Sequence, residues 1–541
     1  MTQKLIPKPL SFTETEGLFT LSKSVRVEGA GMFRTAKAQL EKYIAQMVER
    51  DPDAKDDAVG VVEFLESEGM HKEGYELVVT ADKITITAST DKGAFYGVVT
   101  LAQYAGLLVV KGRVKVPCCR IKDEPRFSWR GWMIDESRHF FGKEEIKRYL
   151  DIMAYNKLNI FHWHLTDDQG WRIDIKAYPK LKSVASFRND TTVGGWKSSK
   201  KRGEPHSGCY SQEDIKEVVA YAKALNIDIV PEIGMPAHSR AAMAAYPFLG
   251  CREIQSIVPW YFGTPKGVQG SKEDQLRIAC AGKESTYEFI FRVIDEVCEL
   301  FPFGYFHIGG DEAPKAEWKK CPHCQETIAQ NGLKDEEALQ SYFNNRIGEY
   351  LETKGKKIIG WNEILKGEGL SSDTIAQHWE PGKRGIGKTA EWVAKGNKII
   401  MSRHNACYFD MAYAMYPLAN TYNFEPVQPF LPEGAEKHIL GCEGHIWTEF
   451  IENREKLDVQ SFPRMLALAE VCWVKAGEKD YKEFLARWEL QKTTYKALGI
   501  NFAEQKVFQP FLLKRPIDLL RWDLCDQHFE VRKNAKLKNK K

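Results

Sequence analysis

Two hydrophobic rhythms divide the chain. Over Tyr75–Val79 and Lys83–Thr87 apolar and polar residues alternate, as on strands with one buried face. Thr80-Ala81-Asp82 between them predicts a hairpin-like turn, and Gly93–Leu101 then sets Phe95, Val98 and Leu101 at helical spacing. Together they predict a small α+β domain over residues 1–122, with no convergent acids or histidines and hence a scaffold role. From about Arg130 short apolar runs alternate with amphipathic stretches. The runs Trp129–Ile134, Leu158–His164, Ile227–Ile233 and Tyr305–Ile308 predict four strands. Lys357–Trp361, Thr374–Trp379, Lys398–Ser402 and Ile439–Trp447 predict four more. Helices are expected over Lys143–Asn156, Ser211–Leu225 and Glu336–Lys354. The second opens on Ser211-Gln212-Glu213-Asp214, close to a capping box, and puts Ile215, Val218, Val219, Ala222 and Leu225 on one face.

Eight strands separated by helices predict an α/β fold, a TIM (β/α)8 barrel over residues 123–500, preceded by the small α+β domain. A doubly wound open sheet is the alternative. The barrel is favoured because polar residues sit at the C-terminal end of nearly every strand. A barrel gathers those ends on one face; an open sheet scatters them. Residues 501–541 form a C-terminal extension. Phe508–Phe529 is aromatic without a clear period, and the lysine-rich tail Arg532–Lys541 predicts a solvated, frayed end.

Composition narrows the function. A chain of 541 residues exceeds one core and suits two or three domains. Its net charge of +3 gives no reason to expect a nucleic-acid partner, and no apolar run is long enough to span a membrane. The N-terminus lacks the apolar core of a signal peptide, which predicts a cytoplasmic protein, or a periplasmic or secreted one whose signal was removed. Among the 12 cysteines, Cys321-Pro322-His323-Cys324 is a CxxC with no second CxxC at zinc-ribbon spacing. A local disulfide or free thiols are expected there rather than a metal. Cys118 and Cys119 are adjacent and are not expected to pair with each other.

The chemistry lies at the strand ends. His307-Ile308-Gly309-Gly310-Asp311-Glu312 places two glycines and then two neighbouring carboxylates after an apolar strand. The glycines free the backbone to turn. Neighbouring carboxylates repel, so one of the two is expected to hold its proton to higher pH, giving an acid and an anion together. Other strands lead into Asp135-Glu136-Ser137-Arg138-His139, His164-Leu165-Thr166-Asp167-Asp168-Gln169-Gly170-Trp171, Trp361-Asn362-Glu363, His378-Trp379, Tyr408-Phe409-Asp410 and Trp447-Thr448-Glu449. Trp361, Trp379 and Trp447 are expected to ring the barrel mouth. An aromatic box with hydroxyl-binding acids suits a sugar ring. His162-x-His164 has metal-ligand spacing, but later strand ends supply Trp, Tyr, Asp and Glu rather than more histidines, so core histidines are expected and no metal.

These motifs, with Pro231-Glu232-Ile233-Gly234-Met235-Pro236-Ala237-His238, resemble family 20 glycoside hydrolases, the β-N-acetylhexosaminidases. The motifs occur in the family's order over roughly residues 70–475. The resemblance implies an exo-acting, retaining enzyme. Such an enzyme would remove terminal N-acetylglucosamine or N-acetylgalactosamine by substrate-assisted catalysis, without a cofactor. It assigns Glu312 as general acid and then base, Asp311 as the group that orients the 2-acetamido group, and Tyr408 as a hydrogen-bond partner of the acetamido oxygen. Arg138, Asp410 and Glu449 would bind ring hydroxyls, Trp361, Trp379 and Trp447 would line the pocket, and Asp167 and His238 would support Glu312. The partner implied is a glycan or amino-sugar oligosaccharide.

One departure stands out. The family usually has an acidic residue where this chain has Gly234, and glycine where it has Ala237. Two other readings stay open from sequence: a non-catalytic carbohydrate-binding relative, and a metal-dependent barrel hydrolase.

Overall fold

The computed structural model describes residues 4–29, 31–50, 60–109, 112–195, 198–262, 278–524 and 529–539. Near the N-terminus a six-stranded mixed sheet runs in the order Ser11–Leu21, Val114–Asp123, Tyr75–Val79, Lys83–Ala88, Val61–Glu66, Arg26–Gly29. The expected hairpin is present, with Tyr75–Val79 antiparallel to Lys83–Ala88. The expected helix spans Asp91–Ala105 and lies on that sheet. Thr90 caps it through Gly93 N–H, and Gly106 ends it at a φ of 71°.

All eight expected strands form and close a parallel barrel. They are β1 (Trp129–Asp135), β2 (Ile160–Asp167), β3 (Asp228–Ile233), β4 (Tyr305–His307), β5 (Lys357–Trp361), β6 (Ile375–His378), β7 (Ile399–Met401) and β8 (Ile439–Ile446). Pairing runs from β3 through β8 to β1 and β2, and β2 closes the ring on β3. Register then fixes the site. Asp135 lies opposite His164, His164 opposite Glu232, and Glu232 opposite His307. Polar residues scattered over 170 positions of sequence thus reach one level at the C-terminal end of the barrel.

The helices follow their patterns. Ser211 and Asp214 complete a reciprocal capping box on Gln212–Ala224, which buries Ile215, Val218 and Ala222. The two domains are joined by buried charge. Arg130 pairs with Glu73 at 3.0 Å, and Lys157 with Asp123 at 2.8 Å. Trp473 donates to the same Asp123 at 2.8 Å.

One expectation needs correction. The basic tail is not frayed over its described part. Phe529–Lys538 is a helix whose Phe529, Glu530 and Asn534 are buried. Glu530 accepts from Tyr413 N–H and Gln460, both at 2.8 Å, and Asn534 accepts from Glu504 N–H at 2.6 Å. The anchoring groups are one ring, one acid and one amide, too few to impose a hydrophobic period on a lysine-rich sequence. Lys540 and Lys541 lie outside the described residues. At the CxxC, where a local disulfide or free thiols were expected, the second outcome is found. Cys321 and Cys324 are free thiols, and two further free thiols, Cys251 and Cys280, join them from distant positions. Among the described residues no helix is long and apolar enough to cross a membrane.

Candidate active site

The turn after β4 is built by its glycines. Gly309 and Gly310 have φ of 69° and 90°. A Cβ on Gly310 would come within 2.4 Å of Ile364, and one on Gly309 within 3.2 Å of the Gly234 backbone. Only a chain without side chains turns there so close to β3 and β5. Gln340 holds the Gly310 carbonyl at 2.7 Å. Glu312 follows with a φ of 45°, left-handed for a non-glycine residue, and its N–H donates to the Glu363 carboxylate. Lys366 pairs with Glu363 at 2.9 Å.

Asp311 and Glu312 converge on one nitrogen. His238 Nε2 lies 3.6 Å from Asp311 Oδ2 and 3.6 Å from Glu312 Oε2. Their exposure differs: the Asp311 side chain is 18% exposed and that of Glu312 52%. Burial raises Asp311 to about 7; His238 opposes the rise, and Glu312, Glu363 and Glu232 add to it. Asp311 thus holds its proton to higher pH chiefly through burial, with repulsion from Glu312 a smaller contribution. Burial disfavours a charged His238, but Asp167, Asp311 and Asp168 outweigh it and hold the ring well above the usual histidine value.

Both residues open on a cavity of about 270 Å3 at the barrel mouth. Arg138, Trp379, Tyr408, Asp410, Trp447 and Glu449 also line it. Arg138 contacts Asp167 at 2.8 Å, Asp135 at 3.0 Å and Glu449 at 3.8 Å, with its guanidinium 5.2 Å from the Trp447 ring centre. Tyr408 stacks on Trp379 with ring centres 6.0 Å apart. Asn362 fixes the turn that carries Trp379 by accepting from its N–H at 3.0 Å. Burial raises Glu449 to about 6, and burial with Glu449 raises Asp410 above its ordinary range. Two acids that hold protons readily suit exchange of hydrogen bonds with sugar hydroxyls.

Trp361 is placed differently from the sequence expectation. Its side chain is 1% exposed, and it does not line the cavity. It lies beneath Trp447, ring centres 5.8 Å apart, and donates to Glu232 at 3.0 Å. Asp167 also stands behind the wall, held by Arg138 and His238. Sequence reasoning missed Arg240, Tyr261, His404 and Met411 as lining residues. Arg240 donates to the Tyr261 hydroxyl at 2.6 Å and its N–H to Asp168 at 3.1 Å. Its place two residues after His238 was a usable signal; Tyr261 and His404 carried none.

Below the cavity the core histidines pair with acids. His162 Nδ1 is 2.7 Å from Glu443, and His164 Nδ1 is 2.6 Å from Glu232. Burial opposes their charge, yet these carboxylates raise the two rings to about 9 and about 10. Gly234 leaves room beside this network. A Cβ there would meet Thr166 O at 3.5 Å and His238 Cβ at 3.7 Å, so the family's usual side chain is not excluded by space.

Residues 127–476 match "Glycosyl hydrolase family 20, catalytic domain", and residues 2–124 match "Glycosyl hydrolase family 20, domain 2". The chain belongs to glycosyl hydrolase family 20. Among similar proteins is a β-hexosaminidase of Porphyromonas gingivalis, 36% identical over 92% of this chain; the chain spans 64% of that protein's length. A β-hexosaminidase of Akkermansia muciniphila is 33% identical over 77% of this chain and 82% of its own. Of solved structures, the family 20 exo-β-N-acetylglucosaminidase of Vibrio harveyi in complex with N-acetylglucosamine superposes with a TM-score of 0.80. It is 29% identical, over 93% of this chain and 79% of that one. The β-N-acetylhexosaminidase of Bacteroides fragilis gives a TM-score of 0.76 at 30% identity, over 92% and 96%.

Proposed function

We propose that this chain is an exo-acting, retaining β-N-acetylhexosaminidase that removes terminal β-linked N-acetylglucosamine or N-acetylgalactosamine, with the substrate's own acetamide as nucleophile. The observation that carries this reading is the convergence of Asp311 and Glu312 on His238 Nε2, 3.6 Å from each. A carboxylate nucleophile would flank the scissile bond opposite the acid. Chain neighbours that meet at one nitrogen instead favour one proton donor and one orienting anion on the same side.

Glu312, half exposed, gives its proton to the glycosidic oxygen as the leaving group departs toward solvent. The buried Asp311 accepts from the acetamido N–H and turns the carbonyl oxygen toward the anomeric carbon. That oxygen forms the new bond as the glycosidic bond breaks, giving an oxazolinium ion. Positive charge developing beside Asp311 favours its anionic form, although burial holds it near 7 in the free protein. Tyr408 hydrogen-bonds the attacking oxygen. Glu312, now a base, activates the water that opens the ring. The names of the relatives, β-hexosaminidases and an exo-β-N-acetylglucosaminidase, support the amino-sugar class.

A panel of aryl glycosides tests the reading. Aryl N-acetylglucosaminide and N-acetylgalactosaminide should turn over, and their 2-hydroxyl counterparts should be very poor substrates. A thiazoline mimic of the cyclic intermediate should inhibit far more tightly than free N-acetylglucosamine. Equal inhibition by the two would overturn the substrate-assisted route.

A further inference from the structure

Four thiols outside the sugar site share one point in space. Cys280 Sγ lies 3.7 Å from Cys321 Sγ and 3.6 Å from Cys324 Sγ, and Cys251 Sγ lies 4.0 Å from Cys324 Sγ. All four sulfurs fall within 4.8 Å of one another. Sulfurs bound about 2.3 Å from one tetrahedral zinc stand roughly 3.8 Å apart, as these distances do. Paired disulfides would bring sulfurs to about 2.0 Å, and the four are free.

The surroundings form a cradle. Cys321 and Pro322 open the helix Pro322–Gln330, which seats Cys324 in its first turn. Gly282 presses on this knuckle: a Cβ there would meet the His323 carbonyl carbon at 2.3 Å and Cys324 N at 2.4 Å. Cys280 N–H donates to Leu249 O at 2.7 Å, and Trp318 Nε1 to Ala279 O at 2.9 Å. Arg252 pairs with Glu317 at 2.6 Å. Three segments therefore meet around the sulfurs through other bonds. Cys280, Cys321 and Cys324 are buried, and Cys251 is half-buried. Lys283 Nζ bonds Gly250 O at 2.9 Å, next to Cys251 in the chain, and pairs with Glu253 at 2.7 Å.

We infer that Cys251, Cys280, Cys321 and Cys324 bind one structural zinc ion that ties the loop following Glu312 to the loop following His238. Four thiolates fill the coordination sphere and leave no open position for substrate or water, so the ion holds structure. Binding releases the thiol protons and adds its free energy to folding. The sequence hid the site because one ligand pair is a CxxC and the other two are single cysteines far upstream. The inference stands apart from the reading of the sugar cavity.

The full chain, produced with zinc available and purified under reducing conditions without chelator, should carry about one zinc per chain by inductively coupled plasma mass spectrometry. Titration of the folded protein with an organomercurial should release that zinc as four thiols are consumed, with a chromogenic chelator as readout. Cys251→Ser and Cys324→Ser should each lower zinc content and melting temperature; if they fail to fold, the organomercurial titration on the unaltered chain still decides. Cobalt substitution should give the intense visible bands of a tetrahedral thiolate site. Protein with less than a tenth of an equivalent of zinc and four promptly alkylated thiols overturns the inference. So does peptide mapping that finds the four cysteines as two disulfides, or an iron content in place of zinc.

Discussion

His238 Nδ1 lies 3.1 Å from Asp167 Oδ1, and this contact aims the opposite ring nitrogen at Asp311 and Glu312. Asp167 is itself gripped by Arg138 at 2.8 Å through its other oxygen. A chain of charge, Arg138 to Asp167 to His238, thus runs from the cavity wall to Asp311 and Glu312. It keeps a cation beside two carboxylates that would otherwise repel.

Asp167→Asn should weaken the hold on the His238 proton. With less positive charge beside it, Asp311 should keep its own proton to higher pH. The acidic limb of the kcat/KM profile should move up by up to about one pH unit. A lower rate with an unmoved limb would show that Asp167 serves packing alone.

Glu312→Gln should fold with an unchanged melting temperature, because the side chain is half exposed. Hydrolysis of an oligosaccharide with a poor leaving group should fall by roughly two to four orders of magnitude. An activated aryl glycoside needs less protonation and should lose less in the first step. Equal losses on both, with bond cleavage rate-limiting, would argue against Glu312 as the acid.

Asp311 carries a stability consequence with a definite sign. Its folded pKa of about 7 lies above the usual aspartate value of 3.8. Its contribution is therefore fully present below pH 3.8 and is lost as pH rises through 7. Asp311→Asn removes the buried charge, so it should raise the melting temperature relative to wild type at pH 8 more than at pH 4, while lowering kcat at both. Melts at the two values check this; an equal shift at both would mean that the carboxylate does not titrate between them.

Deleting residues 529–541 should destabilise the fold. It strips Glu530 from Tyr413 N–H and Gln460, and Asn534 from Glu504 N–H. Each buried group left unpaired costs about 1–3 kcal/mol. Replacing Lys536 and Lys538 with alanine should do much less. A truncated protein that melts with the full chain would return the tail to a dispensable end.

The sequence by itself determined the eight strands, the helices between them and the Asp311–Glu312 turn. Each is written in contiguous residues: an apolar run, a 3.6-residue stripe, two glycines before two acids. It also ordered the strand-end motifs, because parallel strands joined by helices bring their C-terminal ends to one face. Only the tertiary structure decided depth and partnership. Trp361 and Trp447 both end strands, yet register sinks the first beneath the second and leaves only the second on the cavity. The sequence shows the His162-x-His164 spacing, but that Glu443 and Glu232 meet these rings from other strands is decided by the barrel. Cys321 and Cys324 looked local until folding brought Cys251 and Cys280 to within 4.8 Å. Periodicity reports which face of an element is apolar; it carries no information on which distant side chain the barrel places against it.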